Sequence, residues 1–417
     1  MNNYTKNILS ISTISIFFLF LIMFWSMQPW FLWYHRTIII SALSGCFILF
    51  RFILLSKDYK VNYSIFIVVA FAFLVYFLIQ LRFTPGLLGV FNFIRIILVF
   101  TFVMIMTKDE KEKIVTMTTT IYAWIMGISL LAYLFVVTGI QLPYYSMSHP
   151  DYLWYPPFLN YRLFIAGTNK SVFISRFQSI FLEPGQMSVI LVFLVYINRY
   201  KLKRKSVLII FISVLISLSL AGYVLLILGY LLQLTIKSKN IYGAILKIAI
   251  VITLFISMGF YYYIKNPDSI FSRVLLSRFE LDERKGIRGN NRTQSRFNYY
   301  YETQFLTSTE NILWGKEINE FERMMFYDRG GNMSYRTFLF RYGSITLILL
   351  FLMYLSIAAT KPSRLGFGLL ILYSASFIQA TFALWEIQLF LFVGAVQYFY
   401  AESCSIKKND VNIYTSN

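Results

Sequence analysis

Apolar residues in this chain come in unbroken blocks rather than in one-sided stripes. Blocks of about 17–25 residues with few charges recur from end to end, the length a bilayer's hydrocarbon core demands of a helix. They place spans at approximately 8–27, 37–55, 61–81, 87–106, 114–138, 179–198, 206–220, 221–236, 241–263, 338–359, 366–383 and 385–401. The stretch "SVLIIFISVLISLSLAGYVLLILGYLLQL" (206–234) is the awkward one. It is long for one span and short for two, with "SLAGY" as the expected break. The pattern predicts an all-α polytopic integral membrane protein of about 12 transmembrane helices. Residues 1–417 form one membrane domain, with a large extracytoplasmic loop before the last three spans.

The polar positions between blocks set an orientation. With the N-terminus inside, the cytoplasmic connections are "SKDYK", "TKDEKEK", "NRYKLKRKS", "KSKN", "TKPSR" and the tail "SIKKND", all basic. The opposite short connections, "SMQPWFLWYHR" and "RFTPG", carry one arginine each. This Lys/Arg asymmetry places both termini in the cytoplasm.

Two longer segments then lie outside, 139–177 and 264–337. Long segments translocate whatever their charge, so their arginines do not oppose the assignment. In "NNRTQSRFNYYYETQFLTS", Phe297, Tyr301 and Phe305 recur every fourth residue, with Arg292 and Arg296 in a row beside them. That spacing predicts a helix whose apolar face lies in lipid or on the bundle and whose guanidinium face meets headgroup-level anions.

Composition agrees with a membrane protein. The chain is 58% hydrophobic and 14% charged, where soluble domains average about 45–50% and about 25%. A net charge of +19 raises nucleic acid as a partner. The basic residues are scattered between apolar blocks and form no stripe, which argues against it. Cys46 and Cys404 give no disulfide framework, and His35 and His149 are too few for a His-based metal site. The first span lacks a small-residue cleavage site, so it is expected to stay as an anchor. No metal-ligand spacing and no phosphate-binding glycine loop occurs, and no cofactor is expected.

Charges at the edges of apolar blocks are the candidate chemistry. In "SRFQSIFLEPGQMSVILVFL", Glu183 precedes Pro184. A residue before proline avoids the α region and proline suits the first helical turn. Glu183 therefore caps a helix running to about Arg199, with Arg176 approaching the same outer mouth. Two readings stand: a cap beside a snorkelling arginine, or a catalytic or substrate-binding pair. Arg95, near the middle of the fourth span, must face the bundle interior, either in an ion pair with another span or at a functional site. Where the large loop closes, in "GGNMSYRTFLFRYG", Arg336 stands at the head of the tenth span and Arg341 about one turn inside it. Any one of these is an ordinary interfacial anchor. As a group, with Arg176, Arg292 and Arg296, they form a candidate outer-face cluster, since guanidinium forks suit phosphate oxygens.

This arrangement resembles the O-antigen polymerase (Wzy-type) family of bacterial inner-membrane proteins. The likeness rests on three stretches. "RFQSIFLEPGQMSVIL" resembles the family's arginine and Glu-Pro at the head of a span. "LSLAGYVLLILGYLL" stands at a serine-rich break. "NRTQSRFNYYYETQFLTSTENILWGKE" with "NMSYRTFLFRYGSITLILL" resembles the large penultimate periplasmic loop. The resemblance implies metal-independent polymerisation of oligosaccharide repeat units carried on undecaprenyl diphosphate, at the outer face of the bacterial cytoplasmic membrane. The products are O-antigen or capsular polysaccharide. It implies that outer-face arginines hold the diphosphate, which carries over to Arg176, Arg292, Arg296 and Arg336; from the reading of the residues themselves, Glu183 and Arg176 are the catalytic candidates, and Arg95 and Arg341 join the diphosphate-binding ones. The implied partners are the lipid-linked oligosaccharide, membrane lipids and a chain-length regulator protein. Glu302 and Asp328 are alternative bases. A related ligase is expected to carry a histidine near the end of the loop, where this chain reads "GGNMSYRTF". A flippase for lipid-linked oligosaccharides is the rival from another class, but it should show two similar halves.

Overall fold

The computed structural model describes residues 3–54, 63–83, 86–150, 157–167, 176–238, 281–282, 286–287, 295–316, 334–378 and 384–414, with scattered positions between 243 and 269. The described chain is mostly helical. Its principal helices are α1 (Asn3–Ser26), α2 (Arg36–Leu54), α3 (Tyr63–Phe83), α4 (Leu87–Met104), α5 (Lys108–Val137), α6 (Pro184–Ile197), α7 (Lys205–Ile216) and α8 (Leu220–Lys237). They are followed by α9 (Ser295–Tyr300), α10 (Thr309–Trp314), α11 (Ser334–Thr360), α12 (Arg364–Ser376) and α13 (Glu386–Tyr414). Among the described residues, four helices are long and apolar enough to cross a membrane, over Tyr63–Gln80, Leu87–Met104, Lys108–Val137 and Tyr335–Thr360. Most of the expected span at 241–263 lies outside the described residues.

Helix boundaries follow from local chemistry. Thr107 and Glu110 close a capping box at the start of α5, satisfying two orphan N–H groups at once. Ser219 and Ser363 cap α8 and α12 through the N–H groups of Gly222 and Gly366. The α7–α8 break falls at Ser217–Ser219, two residues before the expected "SLAGY", because Leu218 turns with φ 48° and Ser219 is already the cap.

Apolar side chains point both inward and outward. Ile38, Phe66 and Trp124 are exposed on α2, α3 and α5, as helices facing lipid require. α6 is the exception: every residue from Met187 to Ile197 is buried. A helix apolar all round and buried all round is a core helix. At 14 residues it rises about 21 Å. The expected run to about Arg199 is shortened because Asn198 turns back, its Nδ2 donating to Leu194 O at 2.8 Å and to Thr119 Oγ1 at 3.0 Å.

One departure from an all-α fold occurs in the 139–177 segment. Strands β1 (Tyr145–Met147), β2 (Phe158–Asn160) and β3 (Ile165–Gly167) form an antiparallel sheet, with Tyr145 opposite Asn160 and Phe158 opposite Gly167. A two-stranded ladder, β4 (Leu281–Asp282) with β5 (Gly286–Ile287), lies in the later segment. The tail also differs: α13 continues as helix to Tyr414.

The three-stranded sheet sits over the head of α6. Ile165 N donates to Ser179 O at 2.8 Å, and Ser129 of α5 bonds both Leu163 O and Ser179 Oγ at 2.7 Å. Trp33, Phe158, Ile165 and Leu182 form a small buried cluster there. Pro29, just past α1, forms a bridge with Phe181, and Trp30 N donates to Ile180 O at 2.9 Å.

Candidate functional site at the head of the core helix

The segment leading into α6 is pinned by aromatic packing. Phe177 packs edge-on to Tyr133, and Phe181 lies parallel to Tyr122 at 5.9 Å. Glu183 then adopts extended geometry, φ −135° and ψ 140°, as a residue before proline must. The expected cap is only half realised. Glu183 occupies the N-cap position and its carbonyl accepts from Met187 N at 3.2 Å. Its carboxylate makes no capping hydrogen bond. The carboxylate thus does not close on that helix.

Arg176 is brought to the α7–α8 break. Its Nε donates to Ser217 O at 3.4 Å, on a carbonyl at the negative end of α7. The same break is pressed against α6. A Cβ on Gly222 would lie 2.7 Å from both Cβ and Oγ of Ser188, so only glycine lets the helices approach this closely. Two distant sequence blocks, 175–194 and 217–234, therefore meet at one place.

Arg95 has a partner from the far end of the chain. Its Nη2 lies 3.2 Å from Glu386 Oε1 and its Nη1 donates to Ser44 Oγ at 3.2 Å. Both charged side chains are 13% exposed. This is the ion pair between spans that was one of the two readings of Arg95. Glu386 heads α13, and the N–H of its neighbour Ile387 donates to Ser26 Oγ at the end of α1. The pair is thus tied, through the end of α1 and the Pro29–Phe181 bridge, to the approach to Glu183.

The third group is self-contained. Phe297, Tyr301 and Phe305 are buried against Phe340, so their spaced face packs on the bundle rather than in lipid. Its helix is also broken: α9 passes into a π-helical turn over Tyr301–Phe305. Arg336 lies 3.2 Å from Glu302 Oε1 and over the Tyr301 ring. Burial raises the Tyr301 phenol above its ordinary value, and Arg336 offsets part of that rise. Arg341 lies over the Tyr342 ring. Nearby, α11 kinks at Gly343, φ 78° and ψ 168°, where the turn after α10 crosses it. Arg292, Asp328, Tyr152, Trp154 and Tyr155 lie outside the described residues, as does the side chain of Arg296, whose backbone is in α9.

These groups share one end of the bundle. α5 runs from its charged first turn to Ser129, which touches the approach to α6, and α11 runs from Arg336 to Thr360 in the opposite sense. Thr360 lines a cavity together with Lys111 of α5. Arg336, Arg176 and Glu183 therefore all lie away from that first turn.

Glu386 is the functional candidate that the sequence did not single out. The available signal was a carboxylate one residue inside the last apolar block, in "ALWEIQLF". Among the described residues no three of His, Cys, Asp and Glu gather closely enough to hold a metal ion. In comparisons with known proteins, no family model, no curated protein and no solved structure matches this chain.

Proposed function

We propose that this protein is a membrane glycosyltransferase that polymerises oligosaccharide repeat units carried on undecaprenyl diphosphate at the outer face of the bacterial cytoplasmic membrane, into O-antigen or capsular polysaccharide. About twelve spans, cytoplasmic termini and the external placement of the 139–177 and 264–337 loops belong to the same proposal. The observation that carries it is the meeting of Arg176 with the serine break beside the head of α6. Two of the three stretches that resemble the polymerase family are thereby neighbours in space.

In the proposed reaction a hydroxyl of the next lipid-linked unit attacks the anomeric carbon of the growing chain. A new C–O bond forms, the bond to the diphosphate oxygen breaks, and undecaprenyl diphosphate leaves. Glu183 takes the hydroxyl proton, a role for a carboxylate at a helix N-terminus. Arg176 faces the charge that grows on the leaving diphosphate, joined by Arg336 and the other loop arginines as the lipid carrier docks.

Deletion of the gene tests the proposal. Surface lipid carrying a single repeat unit is the expected phenotype. Absence of displayed units would identify a flippase instead, and polymer retained on its carrier lipid would identify a ligase.

A further inference from the structure

At the end of the bundle opposite Glu183, the cavity lined by Thr360 and Lys111 has a volume of about 160 Å3 and lies between α3, α5, α11 and α13. That is on the order of ten times the space one water needs. Half of its lining residues are apolar. The others are Ser64, Lys111, Thr360, Lys361 and Gln397, and no carboxylate is among them. A lysine at a membrane boundary ordinarily extends its ammonium into water. Lys111 turns inward instead, its Nζ donating to Met104 O at 2.7 Å at the end of α4. An ammonium has three donors, so two remain for another acceptor. Lys361 holds its Nζ over the Tyr400 ring at 4.9 Å. Gln397 is 7% exposed. The adjacent carboxylate, Glu110, is engaged by Arg51, Ser12 and Thr107 N. Two ammonium groups therefore face one half-apolar cavity without a compensating charge in its wall, an arrangement that favours an anion.

We propose that this cavity binds a phosphoryl group, held between Lys111 and Lys361 with the Gln397 amide as a further donor. The site is independent of the polymerase reading. It needs only that this end of the bundle meets a membrane–water boundary, where anionic headgroups and free phosphate are both at hand. Two probes on the purified full-length protein separate those sources. One is native mass spectrometry after exchange into mixed phosphatidylglycerol and phosphatidylcholine. The other is thermal stabilisation by inorganic phosphate against chloride at equal ionic strength. Retention of phosphatidylglycerol identifies a lipid headgroup, and a phosphate-specific shift identifies the free anion; either supports the site. Lys361→Gln, at an exposed position, should weaken the responding probe about tenfold or more, and Lys361→Arg should restore it. Gln397→Leu, which removes the amide donor without altering charge, should weaken it as well. Equal responses from wild type and Lys361→Gln, or a loss in Lys361→Gln that Gln397→Leu does not share, would overturn the proposal.

Discussion

Glu183 is set in place by the chain on either side of it. Proline after it fixes the backbone, the aromatic clamp on Phe181 fixes the approach, and the carboxylate makes no cap. Glu183→Gln keeps size and geometry while removing the proton acceptor. Polymer formation by the purified protein from lipid-linked units should fall by about 10²–10⁴-fold, with the thermal unfolding midpoint little changed. Arg176→Lys keeps the charge but loses the planar fork, and a loss of about 10²-fold is expected for an electrostatic stabiliser of a leaving group. Both residues were legible in the sequence, since a charge at the edge of an apolar block is costly wherever it sits. Glu386 carries the same edge signal, but its partner Arg95 lies 291 residues away. Nothing local in "ALWEIQLF" announces that partner.

Helices and turns add a constraint that no single residue carries. The Arg95–Glu386 pair links α4 to α13 within the bundle, and removal of one partner strands the other charge. Glu386→Gln should lower stability by about 3–5 kcal/mol, read by thermal unfolding in detergent. The double replacement Arg95→Met with Glu386→Leu should be far milder, giving a clear coupling energy in a double-mutant cycle. At the other junction, a Cβ on Gly343 would collide with Leu313 O, at a backbone geometry reserved for glycine. Gly343→Ala should therefore cost about 2 kcal/mol or more and loosen the α10–α11 contact, seen as faster proteolysis after residue 314. Apolar block length located nearly every helix here. It overestimated α6, because a helix sheathed in protein and one sheathed in lipid have the same composition. It also missed the small sheet, whose strands of three residues are too short to show an alternation.

For the molecule as a whole, the Lys/Arg asymmetry makes a prediction about sidedness. In a background of Cys46→Ser and Cys404→Ser, a cysteine replacing Ser146 in the sheet should react with membrane-impermeant maleimide in intact cells whose outer layer is permeabilised. A cysteine replacing Lys361 should react only after lysis. The opposite pattern would invert the topology and place Glu183 in the cytoplasm, where the proposed substrate is not displayed. The boundaries of most described helices could be derived from hydropathy. The neighbours of Arg176 could not, since they depend on how α7 and α8 fold back on α6. The link between α1 and the approach to α6 has a practical consequence. Because Pro29 and Trp30 bond directly to the strip before Glu183, the end of the first helix forms one wall of the proposed site. Truncations or rigid fusions at the N-terminus should impair turnover even where insertion and expression are normal, so reporters belong at the other terminus.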